Sequence, residues 1–169
     1  MILKTARLTL RPQIQADAPA LFSILNDPEA MRFWNRGAIT RLAVAEELVA
    51  GQQAAMEAGG CRYWTVLEGP DAIGSVDLSL IESQSAELGF LLRRDRWGLG
   101  LASEAAAAVA DFGLSDQGGL ARLAAAALAG NLAARRVLEK AGFRLAETRN
   151  ARLADGRGGP CAFYLRDKA

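Results

Sequence analysis

The chain has 169 residues, 51% of them hydrophobic and 23% charged, with a formal net charge of +1. That length and balance suit one soluble globular domain with a proper core, and charges scattered along the chain give no electrostatic case for nucleic acid or an anionic membrane. Histidine is absent, which removes Ser-His-Asp and Cys-His nucleophile systems and His-bearing zinc sites together.

No apolar run approaches the length of a membrane span. The opening M-I-L-K-T-A-R-L has no apolar signal core followed by a small-residue cleavage site, so a cytoplasmic location is expected. Proton transfers must use Glu, Asp, Tyr, Cys, Lys or water, and no metal is expected. Cys61 and Cys161 lie a hundred positions apart and read as ordinary buried or half-buried thiols.

In chain order, Thr5 to Pro12 alternates Leu8 and Leu10 with polar residues, a half-buried strand. Asp17 is set to cap a helix carrying Ala20, Leu21, Ile24 and Leu25, which Asn26-Asp27-Pro28 stops. Phe33 and Trp34 follow in a loop-like region, suited to lining a substrate mouth or to packing under the loop. Thr40 is set to cap a second helix to about Ala58, ended by Gly59-Gly60. Arg62 to Leu67 and Ala72 to Leu80 form a hairpin about Gly69-Pro70-Asp71, and a third strand runs from about Ser85 to Leu92.

A glycine-rich turn, W-G-L-G-L-A-S, then leads into an alanine-rich helix from about Leu101 to Leu114. Leu120 to Leu128 is ambiguous: alanine propensity favours helix, whereas its length and flanking Gly119 and Gly130 favour a buried strand. Asn131 to Ala141 reads as a helix with Gly142 past its end. Phe143 to Ala154 and Cys161 to Arg166 are two last strands around a turn at residues 155–160. The series is a mixed α/β layer fold in one domain.

The glycine-rich turn is the candidate site. Gly98 and Gly100 let backbone approach a ligand closely. The amides of Leu99, Gly100, Leu101 and Ala102 would be free donors at the positive end of a helix. This makes either a pyrophosphate cradle or merely a turn that starts a helix. A dinucleotide fingerprint needs a third glycine, where Ser103 stands, and a ribose-binding acid that the region near Gly118 to Leu123 lacks; a P-loop needs Gly-Lys-Ser/Thr, also missing.

With W-G-L-G-L-A-S-E-A in the middle and N-L-A-A-R-R-V-L-E-K-A-G-F downstream, the chain resembles the GNAT superfamily of acyl-CoA-dependent N-acyltransferases. Within it, T-A-R-L-T-L-R-P, N-D-P-E-A-M-R-F-W and A-D-G-R-G-G-P-C-A-F-Y-L-R are most similar to the ribosomal-protein alanine N-acetyltransferase (RimJ/RimL-type) branch. The resemblance implies a single GNAT-like domain with a central, mostly antiparallel twisted sheet, splayed in the middle, and helices on both faces. It implies acetyl-CoA as donor, with its pyrophosphate on Trp97, Gly98, Leu99, Gly100, Leu101, Ala102 and Ser103. Its pantetheine arm would lie along Phe90, Leu91 and Leu92, one of whose amides would hold the oxyanion, with Asn131 contacting the cofactor or fixing adjacent backbone. Arg93, Arg94, Arg96, Arg135 and Arg136 are candidates for the 3′-phosphate.

Direct transfer to a primary amine in a ternary complex is the implied reaction, the acceptor being a protein N-terminus or a small molecule. Dimers are common in such families, and no motif here decides the state. Glu87, where some members carry a glutamate base, is the candidate for taking the amine proton, the alternative being that it binds the substrate ammonium or pairs with an arginine. Asp77, on the neighbouring strand, is a second carboxylate candidate but reads more simply as a solvated strand-face acid. Glu104 reads as a complement to a helix dipole, and Cys61 as an acyl carrier only if it had a basic partner. Trp97 stands in place of the usual Gln or Arg, and Ala134 and Leu138 stand at the positions that usually nominate a general acid for the thiolate. Those losses keep a second reading open, a non-catalytic acyl-CoA-binding or sensing module, and a nucleotide-binding domain is a third.

Overall fold

The computed structural model describes residues 1–34, 36–152, 156 and 158–169. Eight strands form one sheet: β1 (Leu3–Lys4), β2 (Thr9–Pro12), β3 (Arg62–Glu68), β4 (Asp71–Glu82), β5 (Ser85–Leu92), β6 (Arg122–Leu128), β7 (Arg144–Arg152) and β8 (Gly158–Asp167). Their order is β1-β2-β3-β4-β5-β6-β8-β7. Every pairing is antiparallel except β5 with β6. Four α-helices are interleaved: α1 (Ala18–Leu25), α2 (Leu42–Glu57), α3 (Leu101–Leu114) and α4 (Leu132–Lys140).

Alternation along the strands sends side chains to two separate cores. On one face, Leu10, Trp64, Val76, Leu78 and Leu88 pack with Ala105, Ala106, Val109 and Ala110 of α3. The small alanines bring that helix close to the sheet, and Trp64 meets Phe112 of α3 edge-on at 5.7 Å between ring centroids. On the other face, α1 and α2 bury Leu21, Ile24, Ala45 and Val49 together, with Leu91 of β5 against them. Helices therefore cover both faces.

The ambiguous segment is a strand. Leu123, Ala125 and Ala127 are buried at a spacing of two, and the strand is held by β8 through seven register pairs from Arg122↔Asp167 to Leu128↔Cys161. A paired neighbour overrides helical propensity here. The first expected strand, Thr5 to Pro12, is shortened to Thr9–Pro12: its first residues form a tight turn after β1 in which Thr5 N–H donates to Leu8 O at 2.9 Å. Ala154 and the expected turn residues Asp155 and Arg157 lie outside the described residues.

Two expected helix caps are corrected. Helix α2 starts after Arg41 with no side-chain cap, so Thr40 does not serve. Asp17 precedes α1 but does not cap it. Its carboxylate instead accepts from both Arg11 guanidinium nitrogens at 2.8 and 2.5 Å, from Ile14 N–H at 2.9 Å and from Thr65 Oγ1 at 2.6 Å. Burial would raise its pKa, but the Arg11, Ile14 and Thr65 hydrogen bonds prevail and hold it below the usual value.

That buried network joins β2, β3 and the approach to α1, and breaking one partner strands a charge. Asp17→Ala should lower stability by about 3 kcal/mol, read from urea denaturation at neutral pH. Because the folded-state pKa is depressed, the Asp17 contribution is present above the ordinary carboxylate range and disappears as pH falls through the folded value. The gap between wild type and variant should therefore narrow in acid.

Candidate active site

β5 and β6 pair over only three residues, Ser85↔Arg122, Ala86↔Leu123 and Glu87↔Ala124. Beyond them β5 stays with β4 as far as Gly74↔Leu92, while β6 stays with β8. The sheet thus opens into a V whose vertex is Glu87. Five residues of β5, 88–92, present an unpaired inner edge of about 16 Å at a strand's usual rise. Apart from Leu92 O, which accepts from Trp97, backbone groups on that edge are left without a strand partner.

A cavity of about 820 Å³ follows the V. At the open end of β5 sits the glycine-rich turn. Gly98 and Gly100 have φ of +76° and +79°, a conformation unfavourable for other residues. Gly100 is the N-cap of α3, and the first bond of the helix runs from Glu104 N–H to Gly100 O at 3.1 Å. The amides of Leu101, Ala102 and Ser103 therefore have no acceptor within the helix. All three residues line the cavity, with Trp97, Gly98 and Gly100. The Trp97 indole donates from Nε1 to Leu92 O at 2.8 Å, tying the turn to the end of β5.

Residues singled out from the sequence fall into distinct places. Phe90, Leu91 and Leu92 line the cavity along its open edge, and Asn131 lines it from the head of α4. The Asn131 side chain accepts from Ala134 N–H at 3.1 Å, so it caps α4. Leu99 does not line the cavity; its side chain is exposed. Arg135 is also turned away, donating from Nε to Tyr164 OH at 3.0 Å and from Nη1 to Ala129 O at 3.4 Å. Arg136 and Lys140, one helical turn apart, line the cavity. Arg93 and Arg96 pair with Asp95, Arg96 also with Glu68, and Arg94 with Asp27.

Ala134 and Leu138 line the cavity as an apolar wall. Glu104 does more than complement the helix dipole: it accepts from Thr5, from Arg7 N–H and from the Arg7 guanidinium. Cys61 and Cys161 are free and buried. Burial pushes the Cys61 thiol up, and Asp77 adds to this, the opposite of what a reactive thiolate needs.

The largest departure from the sequence reading is Asp77. It is 8% exposed, not solvated. It faces Gly89 across the β4–β5 ladder, while Glu87 faces Ser79, so both carboxyls stand on the same side of the sheet. A Cβ at Gly89 would lie 2.6 Å from Asp77 Oδ1; only glycine leaves space for that carboxyl. Burial raises Asp77 to about 7, against a hydrogen bond from Ser79, with Glu87 repulsion adding to the rise. Burial also raises Glu87. Tyr63, on β3 opposite Asp77, is raised by burial, Asp77 and Cys61 in that order. Tyr63, Gln52, Phe33 and Trp34 complete this end of the cavity. Tyr63 and Gln52 escaped the sequence reading because nothing local marks a residue of β3 or α2 as facing the cavity.

The chain that builds this site has relatives among known proteins. Residues 7–144 match the family described as the acetyltransferase (GNAT) domain. The chain belongs to this family. An uncharacterized N-acetyltransferase, p20 of Bacillus licheniformis, is 31% identical over 117 residues, covering 67% of this chain and 66% of that relative. The chain thus spans just under two thirds of p20. The uncharacterized protein YkkB of Bacillus subtilis is 30% identical over 86% of this chain and 87% of its own length. Among solved structures, the RimL ribosomal L7/L12 alpha-N-protein acetyltransferase in complex with coenzyme A superposes with a TM-score of 0.88 at 19% identity, over 99% of this chain and 98% of that one. Spermidine N-acetyltransferase from Vibrio cholerae, in complex with CoA and spermine, gives 0.84 at 20% identity over 97% of each chain. At such identities these two establish a shared GNAT fold.

The pH dependence of stability follows from Asp77. Between its ordinary value of 3.8 and about 7, the native state keeps a proton that the unfolded chain has lost, so stability falls as pH rises through that window. Asp77→Asn removes this dependence. Thermal denaturation should show the variant gaining on wild type from pH 4 to 7, with a level difference above.

Proposed function

We propose that this GNAT protein moves an acetyl group from acetyl-CoA to a primary amine, a protein N-terminus or a small molecule, by direct transfer in a ternary complex. The observation that carries this reading is the coincidence, in one cavity, of an open strand edge, a helix N-terminus with free amides at one end of it, and a carboxylate at the vertex at the other.

The residues fit the donor. Free first-turn amides of α3 and the dipole of that helix suit a pyrophosphate, and the open edge along Phe90, Leu91 and Leu92 suits an extended arm carrying amides. The Arg136 guanidinium is the cavity-lining arginine of α4 and takes the 3′-phosphate role for which Arg135 was a candidate. Acetyl-CoA supplies an acyl group already activated as a thioester. The protein has to deliver a neutral amine to it and hold the developing oxyanion with a β5 amide.

Glu87 is the group that takes the amine proton. It stands where the open edge begins, and its raised pKa brings it closer to neutrality, where a general base is more effective. Asp77 beside it contributes a second carboxyl for the acceptor ammonium. Ala134 and Leu138 offer no acid to the leaving thiolate, which needs little help with a thiol pKa of about 8.5.

Glu87→Gln should lower kcat/KM for amine acetylation by about 10² or more, leave acetyl-CoA affinity unchanged and remove the acidic limb of the pH–rate profile. An unchanged profile would exclude Glu87 as the base. Gly100→Val forces a β-branched residue to a φ of +79° and should abolish acetyl-CoA binding in calorimetry, with circular dichroism reporting a retained fold. A turnover screen over N-terminal peptides, amino acids, polyamines and aminoglycosides identifies the acceptor; binding without turnover on any amine would instead support a sensing module.

A further inference from the structure

The tip of the β1–β2 hairpin reaches the glycine-rich turn, a contact that spans more than ninety residues of sequence. Arg7 uses its whole length there. Its Nη1 donates to Leu99 O at 2.9 Å. Its Nε donates to Glu104 Oε2 at 2.8 Å, with Nη2 2.7 Å from the same oxygen. Its backbone N–H donates to Glu104 Oε1 at 2.9 Å, and Thr5 Oγ1 donates to that oxygen at 2.5 Å. One guanidinium thus holds the turn and the first turn of α3 simultaneously, with a planar fork suited to the task.

We propose that Arg7 is a positioning residue for the donor: it sets the Leu99–Gly100 peptide so that its amide faces the pyrophosphate. A trans peptide points its carbonyl and its N–H in opposite directions. Anchoring Leu99 O to Arg7 on the outer side therefore aims the Gly100 N–H away from Arg7. Gly100 lines the cavity and Leu99 does not, which puts that amide on the cavity side. The carbon a side chain would add at Gly100 points the other way, 3.5 Å from Arg7 Nη2. Without Arg7, the Leu99–Gly100 peptide, with a glycine on its N–H side, is freer to rotate, and its carbonyl can turn toward the anion.

Arg7 has a second effect. Glu104 sits in the first turn of α3, next to the amides that would meet a pyrophosphate, where a lone carboxylate would repel the ligand. Burial would raise the Glu104 pKa, but the Thr5 and Arg7 hydrogen bonds and the Arg7 charge together prevail and hold it below its ordinary value, so it is ionised, and the adjacent guanidinium offsets its charge. The helix N-terminus keeps its attraction for an anion.

This inference rests on the reading of the cavity as an acetyl-CoA site, and binding of coenzyme A to the wild-type protein tests that reading alone. Arg7 is tested by comparing Arg7→Ala and Arg7→Lys with wild type, using coenzyme A and S-acetylpantetheine, which has no phosphate, as probes. Arg7→Ala should weaken coenzyme A on the order of tenfold, with Arg7→Lys between it and wild type and S-acetylpantetheine affinity unchanged in both. With an active acceptor, KM for acetyl-CoA should rise while kcat and the acceptor KM hold. Wild-type coenzyme A affinity in a folded Arg7→Ala protein overturns the proposal. So does an equal loss for both probes in either variant, which would mark Arg7 as merely structural. If Arg7→Ala does not fold, Arg7→Lys alone decides by the same comparison.

Discussion

The site depends on an incomplete ladder. β5 and β6 each keep a full partner on the outer side and share only three residue pairs with one another. In a closed sheet the remaining groups would be paired; here they line a cleft through the middle of the molecule. An exposed strand edge is ordinarily a hazard. Flanked by α3 and α4 and by the loop after α1, it becomes a place where an extended ligand can lie.

The glycine-rich turn and the vertex are the two ends of that cleft, and the chain fixes each by different means. The turn depends on positive φ at Gly98 and Gly100, on the Trp97 anchor to Leu92 O, and on Arg7 from the far end of the sequence. The vertex depends on the ladder, which puts Glu87 at the last paired position and Asp77 diagonally across from it. Two carboxyls raised by burial in one cleft are costly to stability, and such costs gather at functional sites.

Much of the fold was legible in local signals. The turn at Gly69-Pro70-Asp71 gave β3 and β4 their place, Gly142 past its end marked α4, and the glycine spacing marked the turn, because these depend on residues near one another in sequence. The legible part of the site was the part built from one contiguous stretch. Asp77 was not legible as a buried acid: an Asp between Val76 and Leu78 has the same local pattern whether its face meets water or a helix pair. Arg135 and Arg136 were equally good phosphate candidates until the helix phase against the cavity separated them. Asp17 and Glu104 read as helix-end acids, yet their partners Arg11, Thr65, Thr5 and Arg7 come from other strands and turns.

The sequence by itself determined most of the elements, their order and a glycine-rich strand-to-helix turn, since backbone conformation at glycines and the periodicity of apolar residues act over a few positions. It also determined membership of the GNAT family, which residues 7–144 carry. Tertiary structure alone decided where the sheet opens, which side chains face the opening, and which carboxyls lose water. Desolvation and charge pairing depend on distances between residues far apart in the chain, and only the folded arrangement sets those distances.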